Sequence, residues 1–301
     1  MKEQKDNKNG QTLRSGSTEV LGIDVATTGV KAVRMRSSRD GLVLVGCVEL
    51  PAVPLNGSRP AGEPVNFSLP RDYRGRNAGI SLTSKKAVVR LLSLQGSGRQ
   101  TPQMENALRT QAGIESDFRL AYSVLPGARD RQETSVLAVG VPEAEARSAV
   151  ELFGDQSIGT VALEVSALAA TSAFARTPAV READGAVGLI ETGATVSCLS
   201  VFLKGQPVLL RKFEFGSRRT EGRVQRQFGV DESTAMNIIG DAAFDISQSV
   251  QEALGPFLRQ LAISREFVER KTGMPIKAWY LSGGITLAGY WARSICEAVG
   301  T

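Results

Sequence analysis

Two short stretches of this chain place a carboxylate at the end of an apolar run and follow it at once with Gly and Thr. In the first, Val20 to Val25 carries Asp24 and is followed by Ala26, Thr27, Thr28 and Gly29, after which Val30 to Met35 resumes an apolar alternation that includes Lys31. In the second, Ala186 to Glu191 is followed by Thr192, Gly193 and Ala194, and Thr195 to Phe202 is apolar again. A Gly-containing turn between strands lets the backbone approach a ligand closely and aims successive N–H groups into one concavity, which suits phosphate. Thr hydroxyls add donors, so Thr27, Thr28, Gly29 and Lys31 are candidate phosphate residues in the first stretch. Gly193, Ala194 and Thr195 are their counterparts in the second. A carboxylate repels phosphate but holds Mg2+ between phosphates, directly or through water, which makes Asp24 and Glu191 the candidate metal residues.

One such hairpin alone reads as ordinary turn chemistry. Two copies read as duplication of a β-meander half-domain, because each continues through a further turn into a third strand: Leu42 to Leu50 in the first copy, Pro207 to Phe215 in the second. Facing each other, the two turns would clamp the phosphates of a nucleotide in a cleft between domains. A third segment, Leu281 to Leu287, runs from a strand through Gly283 and Gly284 into a helix over Leu287 to Val299, and its glycines would seat a nucleoside against the backbone near a helix N-terminus.

The elements between these motifs follow from periodicity and caps. Pro51 to Gly79 is rich in Pro, Gly, Arg and Asn and reads as a loop-rich boundary. Residues 80–142 read as an inserted small α/β unit. It has strands at Ala87 to Leu94, Phe118 to Leu125 and Thr134 to Val141, and a helix at Pro102 to Ala112 with Thr101 as N-cap and Gly113 as C-cap. A helix follows at Pro142 to Phe153, then a strand at Thr160 to Val165 and an Ala-rich helix from Ser166. The last third is helical: Thr220 to Phe228, Glu232 to Ile239, and a longer stretch from Gln248 to Lys271, in which Gly255 and Pro256 predict a kink or break.

Composition bounds the chemistry. The chain has 301 residues, 42% apolar and 22% charged, enough for two globular domains. It has no histidine, so a Ser-His-Asp triad, a Cys-His pair and a His-ligated metal are ruled out, and a general base must be a carboxylate, a lysine or another less usual group. Cys47, Cys198 and Cys296 are too far apart for zinc or redox spacing and read as small buried hydrophobes, in a reducing compartment. The net charge of +5 is mild and the Lys and Arg residues are scattered, so no nucleic-acid partner is expected. No apolar run approaches the roughly 18–20 residues that cross a bilayer. Residues 1–18 are polar and read as a disordered leader without a signal peptide, which predicts a cytoplasmic location.

Together the three motifs resemble the actin, Hsp70 and sugar-kinase superfamily, and within it the PilM-like, FtsA-related branch of type IV pilus and type II secretion-type assemblies. Asp24 to Lys31 is similar to that family's first phosphate loop, Glu191 to Ala194 to its second, and Leu281 to Gly284 to its adenosine motif. Gln100 to Arg109 is similar to the segment leading into the helix of the family's inserted subdomain. The resemblance implies an actin-like α/β fold with duplicated ribonuclease H-like domains. The first would take residues 19–79 and 143–180, the inserted subdomain 80–142, and the second 181–301, shortened at its C-terminal end. Gly216, Gly283 and Gly284 join the cofactor-binding set by the same resemblance, and Glu164, at a strand-to-helix junction, stands where the superfamily places a water-orienting residue. The second loop has Glu191 and Thr192 where Asp-Ile or Asp-Val is usual, and the first has Ala26 where Gly is common. The family's purine-facing Ala-Glu-x-x-Lys pattern is matched by Ala235 to Ile239, with Met236 and Ile239 in place of the Glu and Lys.

Three functions follow as alternatives. The first is a cytoplasmic scaffold at the inner face of the inner membrane, held there only through a partner. It would bind the N-terminal peptide of a PilN-like inner-membrane protein in a groove between the first domain and the inserted subdomain, with ATP and Mg2+ as structural or regulatory ligands. The second is a Mg-dependent ATPase with Asp24, Glu164 and Glu191 as catalytic carboxylates, or a pseudo-ATPase whose nucleotide cleft is vestigial and binds weakly or not at all. The third, a sugar kinase, would bring polar sugar-binding residues, and no such motif stands out. Self-association stays open, since no self-complementary surface is specified.

Overall fold

The computed structural model describes residues 19–38, 41–53, 67–75, 77–95, 102–125, 133–153, 158, 160–241, 244–284 and 289–300. The expected leader, Thr101, Thr286 and Leu287 lie outside the described residues. Two compact units emerge. One takes the described residues up to Leu82 and from Arg147 to Glu164; the other takes the described residues of Thr83–Ala146 and those from Val165 onward.

The first unit is built on a meander of β1 (Glu19–Val25), β2 (Val30–Ser38) and β3 (Gly41–Leu50). β4 (Asn77–Leu82) lies parallel to β1, and β8 (Thr160–Val165) closes the order β3-β2-β1-β4-β8. Strand period two sends Leu21, Ile23 and Val25 to one face, where they join Val30, Ala32, Ile80, Leu69 and Phe153 in one core. Phe67 meets Phe153 edge-on, with ring centroids 5.7 Å apart.

β4 was not legible: its first residues fall in the stretch read as loop-rich, and the whole strand is six residues long. It nevertheless pairs along Leu21 to Val25 of β1 and contributes Ala78 and Ile80 to the core. Cys47 departs from the buried reading as well. It is exposed, because β3 is the edge of its sheet.

The second unit repeats the meander. β9 (Ala186–Thr192), β10 (Ser197–Leu203) and β11 (Gln206–Phe213) are antiparallel, and β12 (Ile276–Ser282) runs parallel to β9 in the order β11-β10-β9-β12. One face carries Ile190, Leu199, Val201 and Phe213 against α5 (Ser217–Phe228), α6 (Glu232–Gly240), α7 (Ser247–Thr272) and α8 (Gly289–Val299). Phe215, Phe257 and Trp291 stack there with nearly parallel rings, Phe215 and Phe257 only 4.5 Å apart. The other face carries Val187, Leu189 and Phe202 against Phe174, at the end of α3 (Ser166–Phe174), and Val180 of α4 (Pro178–Arg181).

A three-stranded sheet completes this unit. Here β7 (Glu133–Pro142) lies between β5 (Val88–Gln95) and β6 (Phe118–Val124), and α1 (Pro102–Ala112) packs Met104, Leu108 and Ala112 against it. Gly113 ends α1 in the left-handed region (φ 67°), as its position predicts. The sheet joins β11 through Val89, Leu168 and Leu210. Lys212 Nζ adds hydrogen bonds to the carbonyls of Lys85 and Ala87, and burial lowers its pKa.

Of the kink or break expected at Gly255 and Pro256, the break does not occur, since α7 runs unbroken through Pro256. Val250 and Leu254 before the proline, and Phe257, Leu261 and Val268 after it, all enter the same core. Their burial outweighs the single backbone hydrogen bond that proline removes. Replacing exposed Pro256 with Ala restores that donor and is expected to raise stability by roughly 1–3 kcal/mol in urea denaturation. Leu254→Ala, at a fully buried position, should lower it by about 2–5 kcal/mol.

Candidate functional site

Each meander carries one of the two candidate carboxylates on a row of polar side chains that crosses its sheet. In the first, Ser81, Asp24, Lys31 and Glu49 are register partners on β4, β1, β2 and β3 in turn. Register partners share a face, so the four stand on one side, opposite the core residues of β1. Ser81 Oγ donates to Asp24 Oδ1 at 2.5 Å, and Lys31 Nζ lies 3.9 Å from Glu49 Oε1 with both side chains exposed. That ion pair is worth little in itself. It does set the Lys31 charge beside the outer strand's acid.

In the second sheet the corresponding row is Ser282, Glu191, Cys198 and Lys212 on β12, β9, β10 and β11. Asp24 and Glu191 are therefore equivalent, and each has a serine opposite it on the parallel neighbour strand. Lys31 and Cys198 are equivalent too. Cys198 is buried, and burial with the nearby Glu191 carboxylate pushes its thiol up to about 12, so it stays protonated and chemically quiet.

The turns are equivalent as well. Ala26 N–H donates to Gly29 O at 3.0 Å in the first, and Gly193 N–H to Val196 O at 3.0 Å in the second. The second turn is thus Gly193 to Val196, which puts its glycine first where the other turn has its glycine last. Thr27 and Thr28 are exposed at the tip of the first turn. Gly29 is required there by β3, because a Cβ would stand 2.9 Å from Leu50 O.

Beyond the hairpin itself, the second turn is anchored by α5. Ser217 N–H donates to Gly193 O (3.1 Å) and Arg218 N–H to Ala194 O (3.0 Å), so two donors at the helix N-terminus are spent on the turn. This approach is close enough to demand glycine at Gly216, where a Cβ would lie 2.3 Å from Ala194 C and O. Gly216 has an extended backbone (φ −165°), so the demand is steric. Gly283 adds a conformational one: it sits at φ 108°, and a Cβ would lie 2.0 Å from Thr192 O. Gly284 differs, with open space around its Cβ direction.

The buried hydroxyls of Thr192 and Thr195, and of Thr220 in the first turn of α5, have no hydrogen-bond partner. Thr192 faces the helices α5–α8, on the side of β9 opposite Glu191. Among the described residues no three His, Cys, Asp or Glu side chains gather as a metal cage would require. Glu164 is exposed and next to last in β8, so it does stand at a strand-to-helix junction.

Taken unit by unit, the groups present suit an anionic ligand better than a nucleoside. Thr195 and Thr220 offer unspent hydroxyls, and Asp24 and Glu191 offer equivalent carboxylates. At the positions that match the family's purine-facing pattern, Met236 is exposed and Ile239 packs partly against the core, and neither side chain can form a hydrogen bond. Ser81, Ser282, Thr220 and Lys212 were missing from the sequence reading. Only Ser282 had a local signal, as the neighbour of Gly283 and Gly284.

No family model matches the sequence. Among solved structures, a chain of the PilM-PilN type IV pilus biogenesis complex superposes with a TM-score of 0.71 at 16% identity, over 94% of this chain and 86% of that one. The chain is PilM-like, and so actin-like, in fold. Weaker likenesses are the ethanolamine utilization protein EutJ from Carboxydothermus hydrogenoformans (TM-score 0.49, 11% identity, 95% and 84% covered) and the archaeal actin homolog Ta0583 (0.45, 12%, 93% and 91%). The duplicated meander, with its parallel fourth strand, is what the PilM-like fold consists of here.

Gly216→Ala tests the anchoring of the second turn. A methyl group within 2.3 Å of backbone atoms must displace them, and the expected cost is roughly 2–4 kcal/mol of unfolding free energy. An unchanged denaturation midpoint would mean that the close approach is not present in solution.

Proposed function

We propose that this chain is a PilM-like scaffold of a type IV pilus or secretion-type machine. It binds the cytoplasmic N-terminal segment of a PilN-like inner-membrane protein and is brought to the membrane by that partner. The observation that carries this reading is the likeness to a chain of the PilM-PilN complex along nearly the whole length of both. In keeping with a partner-borne attachment, no helix among the described residues is long and apolar enough to cross a membrane.

ATP with Mg2+ enters as a structural or regulatory ligand. In this reading Asp24 and Glu191 hold the metal, while Thr27, Thr28, Gly29, Lys31, Gly193, Ala194 and Thr195 cradle the phosphates. Gly216, Gly283 and Gly284 keep the backbone close. Bound Mg2+ would neutralise phosphate charge, and the protein's own part is to orient and hold. A ligand that binds one form of the protein stabilises that form whether or not it is hydrolysed.

The ATPase reading is favoured by one observation, the equivalence of Asp24 and Glu191, with Glu164 as the water-orienting carboxylate. The apolar Met236 and Ile239 count against tight nucleotide binding. The scaffold reading therefore takes precedence, with a nucleotide site that is weak.

The experiment is a pair of titrations on the purified chain. The cytoplasmic peptide of the partner is expected to bind with and without ATP–Mg2+, and Asp24→Asn is expected to leave peptide binding unchanged while weakening any heat of ATP binding. A peptide that fails to bind under both conditions removes the scaffold reading. Turnover of ATP that is lost in Asp24→Asn and Glu191→Gln would move the protein into the ATPase class.

A further inference from the structure

The outward face of α7 is unlike that of the other helices. Buried residues Leu254, Phe257, Leu261 and Val268 occupy one side. On the opposite side, Arg259, Ile263, Glu266, Phe267, Arg270 and Lys271 are all exposed. At 100° per residue, these six lie within an arc of about 140°. Ile263 is 51% exposed and Phe267 46%, and Met274, just past the helix end, is 37% exposed. Lys271 Nζ sits 5.8 Å from the centre of the Phe267 ring. Arg259, Arg270 and Lys271 form no ion pair among the described residues. Three cations thus frame an apolar strip in which Glu266 is the one acid.

We propose that this face of α7 lies against an anionic lipid surface, with Ile263, Phe267 and Met274 entering the headgroup layer and Arg259, Arg270 and Lys271 meeting lipid phosphates. Charge complementarity selects the occupant. A second copy of the chain, docked by two-fold symmetry, would set the same cations against each other, and the chain as a whole carries +5. Apolar side chains flanked by Lys and Arg on one helix face are what an interfacial position requires. This contact is separate from the partner-borne attachment proposed above, so either can fail alone.

The test is co-sedimentation of the full chain with vesicles of phosphatidylcholine alone and of phosphatidylcholine mixed with phosphatidylglycerol. Binding is expected on the mixed vesicles only, and high salt should release it. Arg270→Glu with Lys271→Glu should cut partitioning more than about tenfold, because each cation near an anionic surface contributes severalfold. Phe267→Ser should weaken binding without abolishing it. Arg219→Glu with Arg226→Glu, exposed cations of α5 rather than α7, should leave binding unchanged, and far-UV circular dichroism checks that each variant folds. Absence of binding to the mixed vesicles overturns the proposal, as does equal binding to phosphatidylcholine alone. Equal loss in the α5 variant would reduce the effect to net charge and overturn it too. If vesicles fail while an acidic protein partner is lost in the α7 variant, the face belongs to a protein.

Discussion

The second hairpin keeps its shape because a helix N-terminus is pressed onto its turn. Gly216 brings the start of α5 so near Ala194 that no side chain fits between them. The amides of Ser217 and Arg218 then serve as partners for the turn's carbonyls. Gly283 closes on Thr192 from the other side. With the turn held between these contacts, Glu191 is fixed at the end of β9, opposite Ser282 of β12. The same contacts leave the hydroxyls of Thr195 and Thr220 buried without partners. A buried hydroxyl without a partner costs about 1–3 kcal/mol, so a ligand that satisfies it gains that much back.

The first hairpin reaches the same layout by other means. Its turn is held by β3, which comes so near Gly29 that only glycine fits, and its row of Ser81, Asp24, Lys31 and Glu49 is more exposed than its counterpart. The divergence is informative at the third position. Lys31 is an exposed cation, whereas Cys198 is a buried thiol held protonated. In the second row the cation has moved one strand outward, to Lys212, and it caps two carbonyls, of Lys85 and Ala87, in the segment that leads into β5. One copy has kept its polar row turned to solvent, and the other has drawn it into packing.

The places of Asp24 and Glu191 near strand ends were legible because each closes an apolar run and precedes a turn, both local signals. The meanders were legible for the same reason, as was the cap at Gly113. Ser81 and Ser282 were not, because their role depends on which strand lies beside β1 and β9, and a parallel neighbour is far away in sequence. β4 escaped because six residues beside a Pro- and Gly-rich stretch give little periodicity. Pro256 does not break its helix, because apolar residues on both sides of it share one core. The glycines gave the plainest lesson. Gly216 and Gly283 fit a ligand-binding pattern by sequence, and the structure gives both a packing reason that holds with or without a ligand.

Residue-resolved hydrogen exchange reads directly whether α5 spends its first amides on the second turn. The first amides of a helix ordinarily lack partners and exchange freely. Here Ser217 and Arg218 are predicted to be protected to the level of amides inside α5, and to lose that protection in Gly216→Ala. Free exchange at both residues in the unaltered chain would mean that the turn does not hold these amides.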